Sequence, residues 1–329
     1  MSHARPPKPR LDRRSLLYQA LAIAALLGLG AFLFANTADN LHRQGIPSGF
    51  GFLLDPAGFG IGEGLFPFAA GDAYWQAFAA GLANTLRVAL PGIVLTTLLG
   101  TALGVGRQSR NILLRGLCTA YVELFRNIPL LLQLLAWYFV LADLLPAVAD
   151  ARQLGYLYLS KSGLAFPAPV WESGRLLLEF PERNAFSIGG GGTLTPEFLA
   201  VLLGLVLYSS AYLAETVRSG LQAVPRGQVE AAAALGLSRR QTLRRIVLPQ
   251  ALRLIIPPAT NQFLNLTKNS SLAVAVGYPD LVSIANTTLN QTGRAIECIA
   301  LIMVVYLALS LATAALMGWF NHRAMLHQG

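Results

Sequence analysis

Long apolar runs alternate with polar stretches along the 329-residue chain. A helix crosses a bilayer with about 20 mostly apolar residues, and six runs reach that length: 16–35, about 78–105, about 112–145, about 196–214, a stretch within 252–276, and about 296–320. The third is most apolar after Pro129. Two intervening stretches, 36–75 and 146–194, are rich in Gly, Pro and acidic residues and read as loops. The pattern predicts an all-α membrane protein with about six transmembrane helices. It divides into a tail (1–15), a first transmembrane helix (16–36), a loop (37–76), a helical body (77–320) and a second tail (321–329). The body carries a large insertion at 146–194 and a polar loop at 221–250.

Positive charge beside span ends sets orientation. Arg5, Lys8, Arg10, Arg13 and Arg14 precede the first span, and Arg107, Arg110 and Arg115 separate the second from the third. A basic series from Arg218 to Arg253 separates the fourth from the fifth, and Arg323 follows the sixth. With six spans all of these fall on one side. The opposite loops hold many acids, among them Asp39, Asp55, Glu63, Glu172 and Glu182. Both termini are therefore expected in the cytoplasm, with 37–76 and 146–194 on the outside. The first apolar run is longer than the core of a cleaved signal peptide and reads as a retained span.

Composition agrees with this reading. Charged residues make up 12% of the chain and hydrophobic ones 54%, with mean hydropathy +0.52; soluble domains carry about 25% charged residues. The net charge of +9 suits nucleic acid or an anionic membrane surface. Its placement at span ends assigns it to membrane lipid, so no nucleic-acid partner is expected. Cys118 and Cys298 show neither ligand spacing nor a disulfide framework. His3, His42, His322 and His327 all lie in tails or a loop. There is no HExxH, no G-x-S-x-G and no Gly-Lys dipeptide. A phosphate-binding P-loop needs that dipeptide, so any ATP must be held by another chain, and no cofactor or metal is expected on this one.

Ionisable residues within spans are costly and so are candidates for function. They are Arg87, Glu123, Arg126, Glu215 and Lys268, with Glu297 near a span end. Glu123 and Arg126 are three apart and can pair on one helical face. They either shape a helix entry or touch substrate, with Gln133 beyond Pro129 on the same segment. Pro129 bends or starts a helix. The most polar stretch inside any span is "PPATNQFLNLTKNSSL" from Pro257. Pro257 and Pro258 are expected to interrupt the helix, as in transporters that place substrate near mid-membrane. Asn261, Gln262, Lys268, Asn269, Ser270 and Ser271 are candidates for the substrate path, with a buried Lys268 meeting a carboxylate. Hydrogen bonding between helices is the alternative. "YPD" from Tyr278 reads as a turn.

The loop "EAAAALGLSRRQTLRRIVLPQ", from Glu230, is basic and helix-forming. Pro225 suits a helix start, the alanines favour helix, and Gly236 suits a helix end. Ser238 with Gln241 fits a capping box. Leu243, Ile246 and Val247 share a face, and Pro249 is expected to end the second helix before the next span. A helix–turn–helix that binds DNA is disfavoured because the flanking spans pin the loop to the membrane. A helix resting on anionic lipid and a docking element for a partner both remain.

Glu230-Ala231-Ala232, then Gly236-Leu237, then Ile246-x-Leu248-Pro249 resembles the EAA signature of ABC importer permeases. "NTLRVAL" at Asn84, "YVELFRNIPLLLQ" at Tyr121, "YSSAYLAETVRSGLQAVPRGQVEAA" at Tyr208 and "PQALRLIIPPATNQFLNLTKNSSL" at Pro249 are similar to permeases for polar amino acids of the histidine/glutamine type. The resemblance runs from about residue 77 to the C-terminus. It implies a type I ABC importer permease core of five helices plus one N-terminal helix. It assigns coupling to Glu230, Ala231, Ala232, Gly236, Leu237, Ile246, Leu248 and Pro249. The N-terminal span and the insertion are similar to membrane subunits of broad-specificity L-amino-acid importers. That implies two ATPase subunits carrying ATP and Mg, a second homologous permease, a periplasmic amino-acid-binding protein, and a bacterial inner membrane. The resemblance leaves the substrate contacts unassigned. A secondary transporter or channel, the alternative, would need acids or histidines at mid-membrane, and these are scarce.

Overall fold

The computed structural model describes residues 13–45, 48–65, 67–172, 175–184 and 187–326. Among the described residues four helices are long and apolar enough to cross a membrane. They are α1 (Arg13–Arg43), the 33-residue α2 (Tyr74–Gly106), and, numbered in chain order, α5 (Pro196–Gln222) and α10 (Ala295–Leu326).

The third predicted span is not one helix. α3 (Ile112–Asn127) and α4 (Leu130–Leu144) meet at 105°. The cause is Pro129. Its ring disfavours helical backbone at the preceding residue, and Ile128 is extended, at φ −99° and ψ 127°. The break leaves carbonyls without helical partners. Gln133 answers two of them, its Nε2 donating to the Phe125 and Ile128 carbonyls at 2.9 Å each.

The fifth expected span falls on α8 (Leu248–Asn269), which is not among the helices apolar enough to cross a membrane alone. Pro257 and Pro258 do not interrupt it, contrary to the sequence expectation. Packing against α5 and α10 holds the helix through the two missing N–H groups, as neighbouring helices allow in membrane proteins. The helix changes character later, in a 3₁₀ segment Ser270–Val276 that ends at Gly277, φ 81°. α9 (Leu281–Thr292) then leads to α10.

The core lies among α2, α4, α5 and α8, where Val88, Leu134, Leu205 and Leu266 are fully buried. Small residues on α2 set how closely α5 approaches. A Cβ added at Gly100 would lie 2.8 Å from the Leu213 Cβ, and one at Gly104 would lie 2.7 Å from both the Ala214 carbonyl oxygen and the Val217 Cβ. Such close contact is how helices associate without a hydrophobic driving force between them.

Within 146–194 the described residues form eight short strands rather than plain loop. β1 (Arg152–Leu154), β2 (Leu157–Ser160), β3 (Gly163–Phe166) and β8 (Gly192–Leu194) form an antiparallel sheet in the order β1-β2-β3-β8. β4 (Ala168–Glu172) pairs with β5 (Arg175–Glu179), and β6 (Glu182–Arg183) with β7 (Ile188–Gly189). The segment before α2 packs Phe52 and Ala57 against Tyr74, Phe78, Leu281 and Cys298. It and the strands occupy the same end of the helical body, opposite the α5–α8 loop.

Candidate functional site

The α5–α8 loop follows from local rules. Pro225 stands at the start of α6 (Arg226–Ala234), where its missing N–H has no helical partner to lose. At the other end Gly236 takes φ 77°. The Leu237 N–H donates to the Ala232 carbonyl and the Gly236 N–H to the Ala233 carbonyl, each at 3.0 Å. This pair of bonds is the Schellman closure, and it requires a left-handed residue at the glycine. A Cβ there would meet nothing within 4 Å, so backbone conformation and not space selects glycine. The Gln241 N–H donates to Ser238 Oγ at 3.3 Å, and the Ser238 N–H to Gln241 Oε1 at 2.8 Å. This capping box opens α7 (Arg239–Thr242).

Pro249 does not end the second helix, as the sequence had implied. α7 runs through a π turn, Leu243–Val247, directly into α8. The Leu248 N–H reaches the Leu243 carbonyl. Widening the turn there accommodates a proline that has no N–H for an ordinary helical bond. The elbow at Gly236 is thus joined on one side to α5 through α6, and on the other to α8 by one unbroken helix. Ala232 is buried, and Gln250 Nε2 ties the two sides by donating to Gln228 Oε1 at 2.6 Å. Glu230, Ala231 and Gly236 are exposed, and Leu235 is 82% exposed. Beside the elbow a cavity of about 390 Å³ is lined by Val229, Ala233, Leu237, Leu243 and Val247 together with Arg110, Arg239 and Thr242. At this end Arg107, which caps the C-terminus of α2, donates to Glu215 on α5 at 2.5 Å, and Arg218 pairs with the same carboxylate.

The candidates for the substrate path do not converge on one cavity. No ion pair joins Glu123 and Arg126. Arg126 instead lies over the Tyr212 ring, 5.1 Å from its centroid, while Glu123 is exposed and its carbonyl accepts from Asn127 Nδ2 at 2.7 Å. An aromatic face on α5 competes successfully for the guanidinium. Gln133 is buried and occupied at the α3–α4 break. Just past α8, Ser270 is buried and donates to the Thr267 carbonyl at 2.7 Å. Gln262, Asn269 and Ser271 are half-buried. Lys268 is exposed, not buried as expected, and so are Asn261 and Asn265. Positions 261, 265 and 268 fall on one helical face.

A second polar cluster, drawn from residues far apart in the sequence, closes the opposite end. Glu63 and Arg87 form an ion pair at 3.0 Å with side chains only 9% and 15% exposed. Thr195 Oγ1 donates to Glu63, and Arg87 donates to the Thr193 carbonyl at 3.0 Å and lies over the Phe198 ring. Asn84 Nδ2 donates to the Glu63 and Pro279 carbonyls at 2.8 and 3.0 Å. Burial raises the Glu63 carboxyl above its ordinary range, partly offset by Thr195 and Arg87. Nearby Asp280 is buried, caps α9 through Ser283, and has its carboxyl pushed up to about 7 by burial. In-span Arg87 was a visible signal in the sequence; its partner in a loop was not. Among the described residues no three His, Cys, Asp or Glu side chains are grouped to hold a metal.

The family described as "Binding-protein-dependent transport system inner membrane component" matches residues 92–325. The chain belongs to that family. It is 40% identical to the general L-amino acid transport system permease protein AapQ of Rhizobium johnstonii, over 95% of this chain and 92% of that one. It is 35% identical to the glutamate/glutamine/aspartate/asparagine transport system permease protein BztB of Rhodobacter capsulatus, over 96% and 94%. The crystal structure of an amino acid ABC transporter with histidines superposes with TM-score 0.57 at 26% identity, covering 76% of this chain and 95% of that one. About a quarter of the present chain therefore lies outside that match. As a member of this family the chain is a multi-pass membrane permease subunit and not an enzyme. The EAA motif belongs to this family.

Proposed function

We propose that the chain is one of two membrane-spanning subunits of an importer of L-amino acids, driven by ATPase subunits that seat on its EAA loop. One observation carries this reading. The elbow at Gly236 hangs from α5 on one side and is continuous with α8 on the other, so a force applied there reaches two core helices together. Exposed Leu235, Ala231 and Gly236, with the adjoining apolar cavity, offer a partner a small-residue surface.

ATP and Mg belong to two partner ATPase copies, since the chain has no P-loop. Basic residues cluster at the elbow end, so that end and both termini face the cytoplasm. The strands of 146–194 and the Glu63–Arg87 cluster then face outward, where a periplasmic amino-acid-binding protein delivers substrate. The polar face of α8 at Asn261, Asn265 and Lys268 is unsuited to lipid and suits a contact with the second permease or a shared substrate path. When ATP draws the ATPases together, α5 and α8 tilt and the path opens outward; hydrolysis resets it. The differential ligand is ATP on the partner.

The test is co-purification from cells expressing the whole transporter. An ATPase subunit is expected with the wild-type chain and in reduced amount with Gly236→Asp. A transporter that accumulates amino acids with no ATPase attached would overturn the reading.

A further inference from the structure

The helix that runs from Ser238 into α8 has two unlike sides. At about 100° per residue, Arg239, Thr242 and Leu243 face the apolar cavity beside the elbow. Arg240, Gln241, Arg244 and Arg245 face the other way and alone line a separate cavity of about 420 Å³. The three arginines of that second side are exposed, and among the described residues no carboxylate lies within ion-pair distance of any of them. Gln241 is already engaged in the capping box.

The same side turns apolar within one turn. Leu248 is 41% exposed and Leu252 is 42% exposed. On the orientation proposed above, the change from exposed arginine to exposed leucine on this side places the bilayer surface near Leu248, while Arg253, farther along α8, projects from a different side. The π turn Leu243–Val247 sits at that boundary. Long arginine side chains at such a level reach headgroup phosphates while their stems cover apolar surface.

We propose that Arg240, Arg244 and Arg245 form a binding surface for the phosphate of anionic phospholipid headgroups in the cytoplasmic leaflet. The proposal rests on the orientation argued under Proposed function. The ATPase is assigned to the other side of the same helix, so the two partners do not compete. Headgroups held here fix the depth of the continuous helix that connects Gly236 to the membrane. Coupling therefore depends on the lipid even though lipid takes no part in hydrolysis.

The experiment uses the assembled transporter, with sister permease and ATPase subunits, in nanodiscs of phosphatidylcholine alone or mixed with phosphatidylglycerol. Native mass spectrometry reads retained phosphatidylglycerol, and substrate-stimulated ATP hydrolysis is measured in both lipids. Each arginine near an anionic surface is worth about fivefold in binding. The triple variant R240Q/R244Q/R245Q is expected to retain phosphatidylglycerol on the order of a hundredfold less tightly, and to lose the several-fold stimulation that phosphatidylglycerol gives the wild type. It keeps its ATPase subunits and its rate in phosphatidylcholine. The triple lysine variant preserves charge and keeps the lipid dependence, which controls for misfolding. Equal lipid dependence in wild type and the glutamine variant overturns the proposal. So does loss of the ATPase subunits from that variant in both lipids, which would assign the arginines to the ATPase, or loss of lipid dependence in the lysine variant. Wild type that retains no ATPase subunit at all would instead defeat the assignment of function.

Discussion

Glu63, in the segment before α2, and Arg87, within α2, pair at 3.0 Å in a place almost closed to solvent. Through Thr195 and Thr193 the pair ties that segment to the start of α5, and Asn84, donating to the Glu63 and Pro279 carbonyls, ties it to the start of α9. Removing one partner of a buried pair costs about 3–5 kcal/mol, because the other charge is stranded, whereas replacing both with apolar residues is often nearly neutral. Glu63→Ala is expected to lower the stability of the detergent-solubilised chain by about 3 kcal/mol. The double variant Glu63→Met/Arg87→Met is expected to recover most of it. Thermal unfolding of the three proteins checks this, and equal losses for single and double variants would show that the pair is not an interacting unit.

Two glycines separate packing from propensity. At Gly104 a side chain meets Val217 and the backbone of Ala214 at 2.7 Å, so Gly104→Val is expected to push α2 from α5 and cost about 1–3 kcal/mol. At Gly116, inside α3, a Cβ meets nothing within 4 Å, and Gly116→Ala is expected to stabilise by up to about 1 kcal/mol through helix propensity. The two shifts in unfolding temperature have opposite signs if the close approach exists.

The spans are legible in the sequence because their apolar runs are long and uniform. The break at 128–129 is not, because it is completed by one amide, Gln133, whose role is visible only once α3 and α4 are placed. Pro249 and Pro257–Pro258 mislead for a related reason: a π turn and packed neighbours absorb missing donors that an isolated helix could not. The strands of 146–194 are two to five residues long, too short for alternation to show. Gly236, Ser238 and Gln241 are legible because caps and turns are local. The Glu63–Arg87 pair is not, since its partners lie 24 residues apart across a loop and leave no periodic trace.

Asp280 supplies a pH dependence. One carboxylate oxygen accepts from the Ser283 N–H at 2.8 Å, and the other has no hydrogen-bond partner among the described residues. Burial raises the carboxyl to about 7 in the folded chain. A raised value means the stabilising contribution is full below the ordinary carboxylate range and is gone once pH passes about 7. Asp280→Asn keeps a capping acceptor and removes the charge. Between about pH 5 and about pH 8 the wild type is expected to lose about 2 kcal/mol relative to this variant. Parallel pH profiles of unfolding would show that the carboxyl titrates normally.

The elbow makes the sharpest claim. Gly236 is held at φ 77° with open space around it, so Gly236→Val strains the turn by about 1–2 kcal/mol without a clash in the chain itself. The decisive measurement is substrate-stimulated ATP hydrolysis by the whole transporter in proteoliposomes, wild type against Gly236→Val, at matched levels of inserted complex. Transmission through the elbow requires stimulation to fall at least tenfold while insertion is unchanged; full stimulation in the variant would contradict it.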